Sequence, residues 1–458
     1  MNGLRKFVES DLYLILISVA GFLIWYFQPE LYISAIVVFV LASFLIFTQK
    51  NSNGLLFLFF IMLVSNVAGQ DIRLGDFSTL LENTNYIITL FLIGILLLEM
   101  IIFLIARFKK QNKSTLWIGF VLITVSFAIS GVKQDGSIYV NNHFTDVILM
   151  GIVIFLFLFF AFTFEKNSKR YICKCLLYLS VYIAIQVFVA YIIQIVEYPE
   201  LLFNARPNMV WGNVNTAASV VLLSFPAGAY LYVEKPNFFY FFLTRIVYVS
   251  LLILTSRGGI WFGTLALLLI DIYARIQVKD RRKYNLIYFG STALVLVALV
   301  VSFDYVKPFL DFSFSRLFVG SNLNEFSSGR IDLYKEAIRL FLSSPIIGVG
   351  TTLAVVYDAS PWYHSTFFDT LAGAGIVGLV MLGFHMFQKY KFLLKNKQDP
   401  FVVFVYIGFI CGGLYGVFDV TYYHFIWLIL FAILLASVEV QVKTRNSKKV
   451  ETLTPLNK

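Results

Sequence analysis

Four arginines and one histidine supply most of the chemistry this 458-residue sequence could do. Arg206 precedes the run Pro207-Asn208-Met209-Val210-Trp211-Gly212-Asn213-Val214-Asn215, which leads into an apolar stretch. Arg257 sits in Thr255-Ser256-Arg257-Gly258-Gly259, a short turn between two apolar runs. Arg316 and Arg330 belong to the only long polar segment, 304–363, and His364 follows directly after it. Several guanidinium groups on one side, with no acidic run close in sequence to Arg257, suit a phosphate or diphosphate, which arginine holds bidentately. His364 is placed to take a proton from an attacking hydroxyl. Plainer readings stand beside these. Arg257 would also snorkel to water from a membrane boundary, and Asn213 and Asn215 would serve as helix caps. His143, His385 and His424 read as structural histidines, and replacing His385 or His424 by alanine would be close to harmless.

The elements that must position these residues are membrane helices. Hydrophobic residues make up 59% of the chain and charged residues only 14%, which excludes an ordinary soluble domain. Apolar runs of membrane length recur from 12–27 to 425–442, about 14 in all, with 12 as the lower reading. The first of them follows Arg5 and Lys6 without a small-residue cleavage site, so it reads as an anchor rather than a removed leader. The net charge of +10 does not point to nucleic acid, because of where it lies. With the loops assigned alternately from a cytoplasmic N-terminus, about 26 Lys and Arg fall inside and about 9 outside. That bias predicts cytoplasmic N- and C-termini and places 304–363 on the extracytoplasmic side.

Within that outer segment, Ile331, Tyr334, Ile338 and Phe341 have helical spacing. They predict an amphipathic helix along the membrane surface, capped by Ser327 or Ser328 and ended by Ser344-Pro345. Arg330 in its first turn opposes the helix dipole, a poor position for stability and a reasonable one for binding an anion. The glycines at 373, 375, 378 and 383 predict close helix–helix packing. Glu99 inside an apolar run would pair with the Arg107 cluster or snorkel, and Arg245 would pair with Asp271. Cys173, Cys175 and Cys411 read as packing residues, since no His or acidic partner stands at metal-ligand spacing. The expected architecture is an all-α polytopic membrane protein with one large extracytoplasmic loop. Its parts are N-terminal helices (1–205), a core (206–388, with the loop 304–364) and C-terminal helices with a basic tail (389–458).

Five pieces together resemble the O-antigen ligase and Wzy-type polysaccharide polymerase family. They are Gly212-Asn213-Val214-Asn215-Thr216-Ala217-Ala218, Ser256-Arg257-Gly258-Gly259, Gly329-Arg330 before the amphipathic helix, Pro345-Ile346-Ile347-Gly348-Val349-Gly350, and His364-Ser365 leading into Gly373–Gly378. The resemblance runs from Arg206 to Gly383, and Val214 stands where many members have proline. It implies a membrane glycosyltransferase that takes glycan from an undecaprenyl-diphosphate carrier at the outer face of the cytoplasmic membrane. Arg257 and Arg330 would grip the diphosphate, His364 would activate the acceptor hydroxyl, and Arg206 and Arg316 would assist. No cofactor and no metal are expected, inversion at the anomeric carbon is expected, and flippase and chain-length regulator proteins are the implied partners. Polymerase is favoured over ligase because nothing marks a lipid A partner. A lipid-linked oligosaccharide transporter is the alternative of another class, although no internal repeat supports it.

Overall fold

The computed structural model describes residues 2–65, 84–108, 114–131, 137–197, 209, 211–301, 303–304, 307, 311, 327, 329–350 and 363–453. Arg206, Arg316 and Ser328 lie outside the described residues. The chain is built of helices, with no strand among the described residues. In order they are α1 (Asn2–Val8), α2 (Asp11–Phe27), α3 (Leu31–Thr48), α4 (Asn53–Leu63), α5 (Thr84–Arg107) and α6 (Trp117–Ser130). Then come α7 (Ser137–Thr163), α8 (Lys169–Glu197), α9 (Val214–Ser224), α10 (Pro226–Glu234), α11 (Phe238–Ile253) and α12 (Arg257–Gln277). The last are α13 (Arg281–Val301), α14 (Arg330–Ser343), α15 (Thr366–Lys395), α16 (Pro400–Phe418) and α17 (Phe425–Leu453).

Eight spans among the described residues are long and apolar enough to cross a membrane, and five shorter apolar helices accompany them. Each apolar run read from the sequence falls on one of these helices or on α13. The protein is an all-α polytopic membrane protein. Its centre is formed by α9–α10 and α17, whose spans are 89% and 94% buried, whereas α5, at 17%, faces outward.

Two spans are interrupted. The run 209–233 is not one helix, because α9 and α10 meet at Phe225 and Pro226. Proline lacks the N–H that would continue the ladder. The second interruption lies inside α15, where Gly375 has φ 62° and ψ −154°. A break in a membrane helix leaves backbone donors and acceptors that lipid cannot satisfy. The connection after α14 satisfies them here. Val349 N donates to Ala372 O and Gly350 N to Gly373 O, both at 2.9 Å. In return Ile376 N donates to Pro345 O at 2.9 Å and Val377 N to Ile346 O at 3.1 Å. The expectation of helix–helix packing is corrected at Gly375, which serves a loop docked against a broken helix, while Gly373 meets both that loop and Phe127 of α6. A Cβ on Gly375 would lie 2.6 Å from Ile346 O, and one on Gly348 would lie 2.4 Å from the Gly373 backbone.

Polar residues separate to the two ends of the bundle. At one end Lys169 pairs with Asp399, Arg170 with Glu234, and Lys174 with Asp11 at 2.9 Å. These residues fall on one side in the alternate loop assignment. At the other end of α16 lie Asp419, Arg330 and His364. Arg245 Nη2 of α11 meets Asp271 Oδ1 of α12 at 2.5 Å, as the sequence suggested. Glu99 instead accepts a hydrogen bond from Ser43 Oγ at 2.6 Å, linking α5 to α3. The three cysteines are free and buried.

Gly348→Ala should destabilise the protein by roughly 1–3 kcal/mol or more, because it combines a positive φ with a backbone clash. Gly383→Ala, with nothing within 4 Å of the added Cβ, should be neutral or slightly stabilising. Thermal unfolding of both variants in the same detergent checks the contrast.

Candidate active site at one end of the bundle

Two helices at this end begin by the same local route. Thr255 (φ 52°) and His364 (φ 50°) both adopt the left-handed conformation and both precede a serine N-cap. Ser256 Oγ accepts from Gly259 N to start α12, and Ser365 Oγ accepts from Phe368 N to start α15. A left-handed non-glycine residue is sparsely populated and needs surrounding structure to hold it. For His364 that support includes Tyr334, which stacks on Phe368 at 4.2 Å and reaches His364 O at 3.5 Å. Tyr363 beside it is buried, and its N–H donates to Asp369.

The two helix starts converge on the end of α16. Asp419 is the C-cap of α16, and its N–H donates to Tyr415 O. Its carboxylate takes three side chains from other parts of the chain or the preceding turn. His364 Nδ1 lies 3.2 Å from Oδ1, Arg330 Nη2 lies 3.5 Å from Oδ2, and Tyr415 OH lies 3.4 Å from Oδ2. Arg330 Nη1 also donates to Phe418 O. Tyr415 continues the network toward α12 and α9, with its hydroxyl 3.1 Å from Ser256 Oγ and 3.3 Å from Asn215 O. Ser256 Oγ donates to Asn215 Oδ1 at 2.9 Å. Its neighbour Arg257 is the first residue of α12 and is half-buried. The ring of Tyr415 lies so close to Gly258 that a Cβ there would be 2.2 Å from Cε2. Only glycine allows that approach.

Asparagine capping holds for Asn213 and is corrected for Asn215. Asn213 caps α9 by accepting from the backbone N–H groups of Asn215 and Thr216, both at 2.9 Å. Asn215 sits in the first turn and takes the Ser256 hydroxyl instead. Thr216 Oγ1 lies 3.1 Å from His424 Nε2. His424 thus ties the start of α17 to the cap of α9. His385 is a core residue of α15, packed on Phe120 at 4.6 Å and pressed against Gly119 of α6. Its replacement by alanine would open a cavity, so its cost falls on stability.

The structure thus brings Arg330 and His364 onto one carboxylate and joins Arg257's helix start to it through Ser256 and Tyr415. The first-turn position of Arg330 is accounted for by Asp419 and Phe418 O without any bound anion. The N-cap of its helix is Gly329, in the left-handed conformation, rather than a serine; Ser327, two residues earlier, accepts from Ile331 N through its Oγ at 3.3 Å. Asp419 and Tyr415 are absent from the sequence reading. The available signal was an acidic residue in the short polar turn between the runs 401–418 and 425–442.

Electrostatics follow from this geometry. Burial alone would raise the Asp419 carboxyl, but the His364 hydrogen bond and the Arg330 charge outweigh it and hold it below the usual carboxylate range. With Nδ1 of His364 facing that carboxylate, Nε2 is the ring nitrogen left for another partner.

Residues 242–383 match a family model described as O-antigen ligase. Over this stretch the chain is similar to the O-antigen ligase family. The matched stretch contains Arg257, Arg330 and His364, while Asn213, Tyr415 and Asp419 lie outside it. No curated protein matches the chain. The O-antigen ligase match supports a multi-pass membrane enzyme that transfers glycan, with lipid-linked glycan and membrane lipid as the substrates the family implies.

The buried histidine gives a pH prediction. Burial pushes the His424 imidazole from its ordinary 6.5 down to about 4. The unfolded chain therefore takes up a proton below pH 6.5 that the folded protein resists, and stability should fall as pH drops from 6.5 toward 4. Asp419, with its depressed carboxyl, contributes stability above the ordinary carboxylate value and loses it only at lower pH still. Thermal unfolding between pH 4 and 7 should show a smaller fall for His424→Gln than for the unsubstituted protein. Identical slopes would contradict this.

Proposed function

We propose that this protein is a polysaccharide polymerase of the Wzy type. In this reading it transfers undecaprenyl-diphosphate-linked oligosaccharide repeat units to a glycan acceptor at the outer face of the cytoplasmic membrane. The observation that carries the reading is the shared carboxylate of Asp419. It holds a histidine and an arginine together beside a helix start that opens with a second arginine. The Lys and Arg bias of the loops supports an extracytoplasmic site.

The acceptor hydroxyl attacks the anomeric carbon, and its proton passes to Nε2 of His364. Asp419 keeps the proton on Nδ1 and balances the imidazolium that forms. The bond between the anomeric carbon and the phosphate oxygen breaks, and the diphosphate leaves with the electron pair. Arg257 and Arg330 bind that growing charge in place of a cation. Arg330 uses two of its N–H groups on Phe418 O and Asp419, and the fork carries five, so the same side chain also has donors to offer a phosphate. A single displacement inverts the anomeric configuration. Arg206 and Arg316 are further diphosphate ligands in this proposal. A flippase would deliver the donor and a chain-length regulator would end growth.

The test is transfer from a synthetic prenyl-diphosphate oligosaccharide by the purified full-length protein in nanodiscs. His364→Ala should lower the rate on the order of 10²- to 10⁴-fold, as for loss of a positioned base. Arg257→Ala and Arg330→Ala should abolish product while the protein remains inserted. Arg257→Lys should also fail, since a point charge does not replace a fork. Asp419→Asn should reduce the rate by no more than His364→Ala does, because both act on one proton. Full activity in His364→Ala would remove the acceptor-activation step. Activity is expected to persist in a chelator, and the product linkage should be inverted relative to the donor.

A further inference from the structure

The amphipathic helix α14 has more partners than its sequence pattern provides for. At about 100° per residue, Leu333, Ala337 and Leu340 share one side, and Ile331, Ile338 and Leu342 a second. Asp332, Lys335, Glu336 and Arg339 fall on the third. The first side is spent on protein, since Ala337 and Leu340 are buried with Tyr363 and Ala372, and Leu333 packs against them. The charged side pairs within itself, Lys335 with Asp332 at 2.9 Å and Arg339 with Glu336 at 2.6 Å. Among the described residues the second side has no such cover. Ile338 is 43% exposed and Leu342 70%, and Ile346 in the following turn is 68% exposed.

That uncovered side is continuous with a surface whose partner is already defined. The turn carrying Ile346 is hydrogen-bonded to the broken segment of α15, through Ile376 N to Pro345 O and Val377 N to Ile346 O. On α15 itself Ile376 and Val380 are exposed, on a helix that crosses the membrane, so they face acyl chains. Leu342 and Ile346, also exposed, stand beside these residues through the docked turn. We propose that α14 is a three-sided interfacial helix whose Ile338–Leu342–Ile346 edge lies in the acyl-chain region of the adjacent leaflet. Its charged side then faces water and headgroups. The consequence for Arg330, at the start of the same helix, rests on the transfer reading above. Lipid insertion fixes its guanidinium at headgroup depth, where a diphosphate attached to a lipid lies.

The experiment places one nitroxide at a time on full-length protein in phosphatidylethanolamine–phosphatidylglycerol nanodiscs. The variants are Ile338→Cys, Leu342→Cys, Ile346→Cys, Lys335→Cys and Ser343→Cys, with unsubstituted protein as the control for the three buried native cysteines. Collision with oxygen should dominate at 338, 342 and 346, and collision with a water-soluble nickel chelate at 335 and 343. Nickel dominance at 342 and 346 would overturn the proposal. So would protection of 342 from both reagents, since another stretch of the chain or a second copy would then cover that edge. The measurement needs no turnover, so a failed transferase reading leaves its outcome intact.

Discussion

The carboxylate of Asp419 joins parts of the chain that are far apart in sequence, and the geometry of the site follows from where it sits. It lies at the end of α16, buried, with His364 from the start of α15, Arg330 from the start of α14 and Tyr415 from one turn earlier. Removing it would leave a guanidinium and an imidazole crowded together without a counter-charge. Breaking a fully buried pair costs about 3–5 kcal/mol. The cost here is lower, because Arg330 is about a quarter exposed and its contact is long. A negative group in this place also explains how a cation can open α14 against the helix dipole. The same group fixes which nitrogen of His364 faces outward from the pair.

A second constraint comes from the membrane. Helices that end or break within a bundle must still satisfy their backbone groups. The break at Gly375 is satisfied by the turn 345–350, and that turn is what anchors the far end of α14. The near end of α14 is held by Asp419 and Phe418 O. A helix held at both ends positions Arg330 far better than a free loop would. The bundle therefore reaches the site through three fixed points: two serine-capped helix starts and one helix end.

Much of this was legible in the sequence. Helix positions followed from runs of apolar residues, because in lipid the length of an apolar run is itself the structural signal. The pairing of Arg245 with Asp271 was legible because both sit near the same ends of consecutive helices. Asn213 as a cap was legible from its place before Val214. Asp419 was not, because a single acidic residue in a six-residue turn has no local pattern, and its importance comes only from what folds against it. The interruption at Gly375 was hidden for a related reason. Glycine spacing in a membrane helix fits both close packing and a break, and only the position of 345–350 separates the two. The three sides of α14 were reduced to one stripe because periodicity records how many residues are apolar, not how many partners share them.

The central claim is that the site joins lipid-linked repeat units outside the cytoplasm. It is tested most directly by the length distribution of glycans on the lipid carrier, and the membrane face they occupy, in cells with and without the working protein. Loss of the protein is predicted to leave single repeats on the carrier at the outer face. Long chains stranded on the carrier would mean ligase-type transfer to another acceptor. Single repeats trapped at the inner face would mean transport, and would contradict the account.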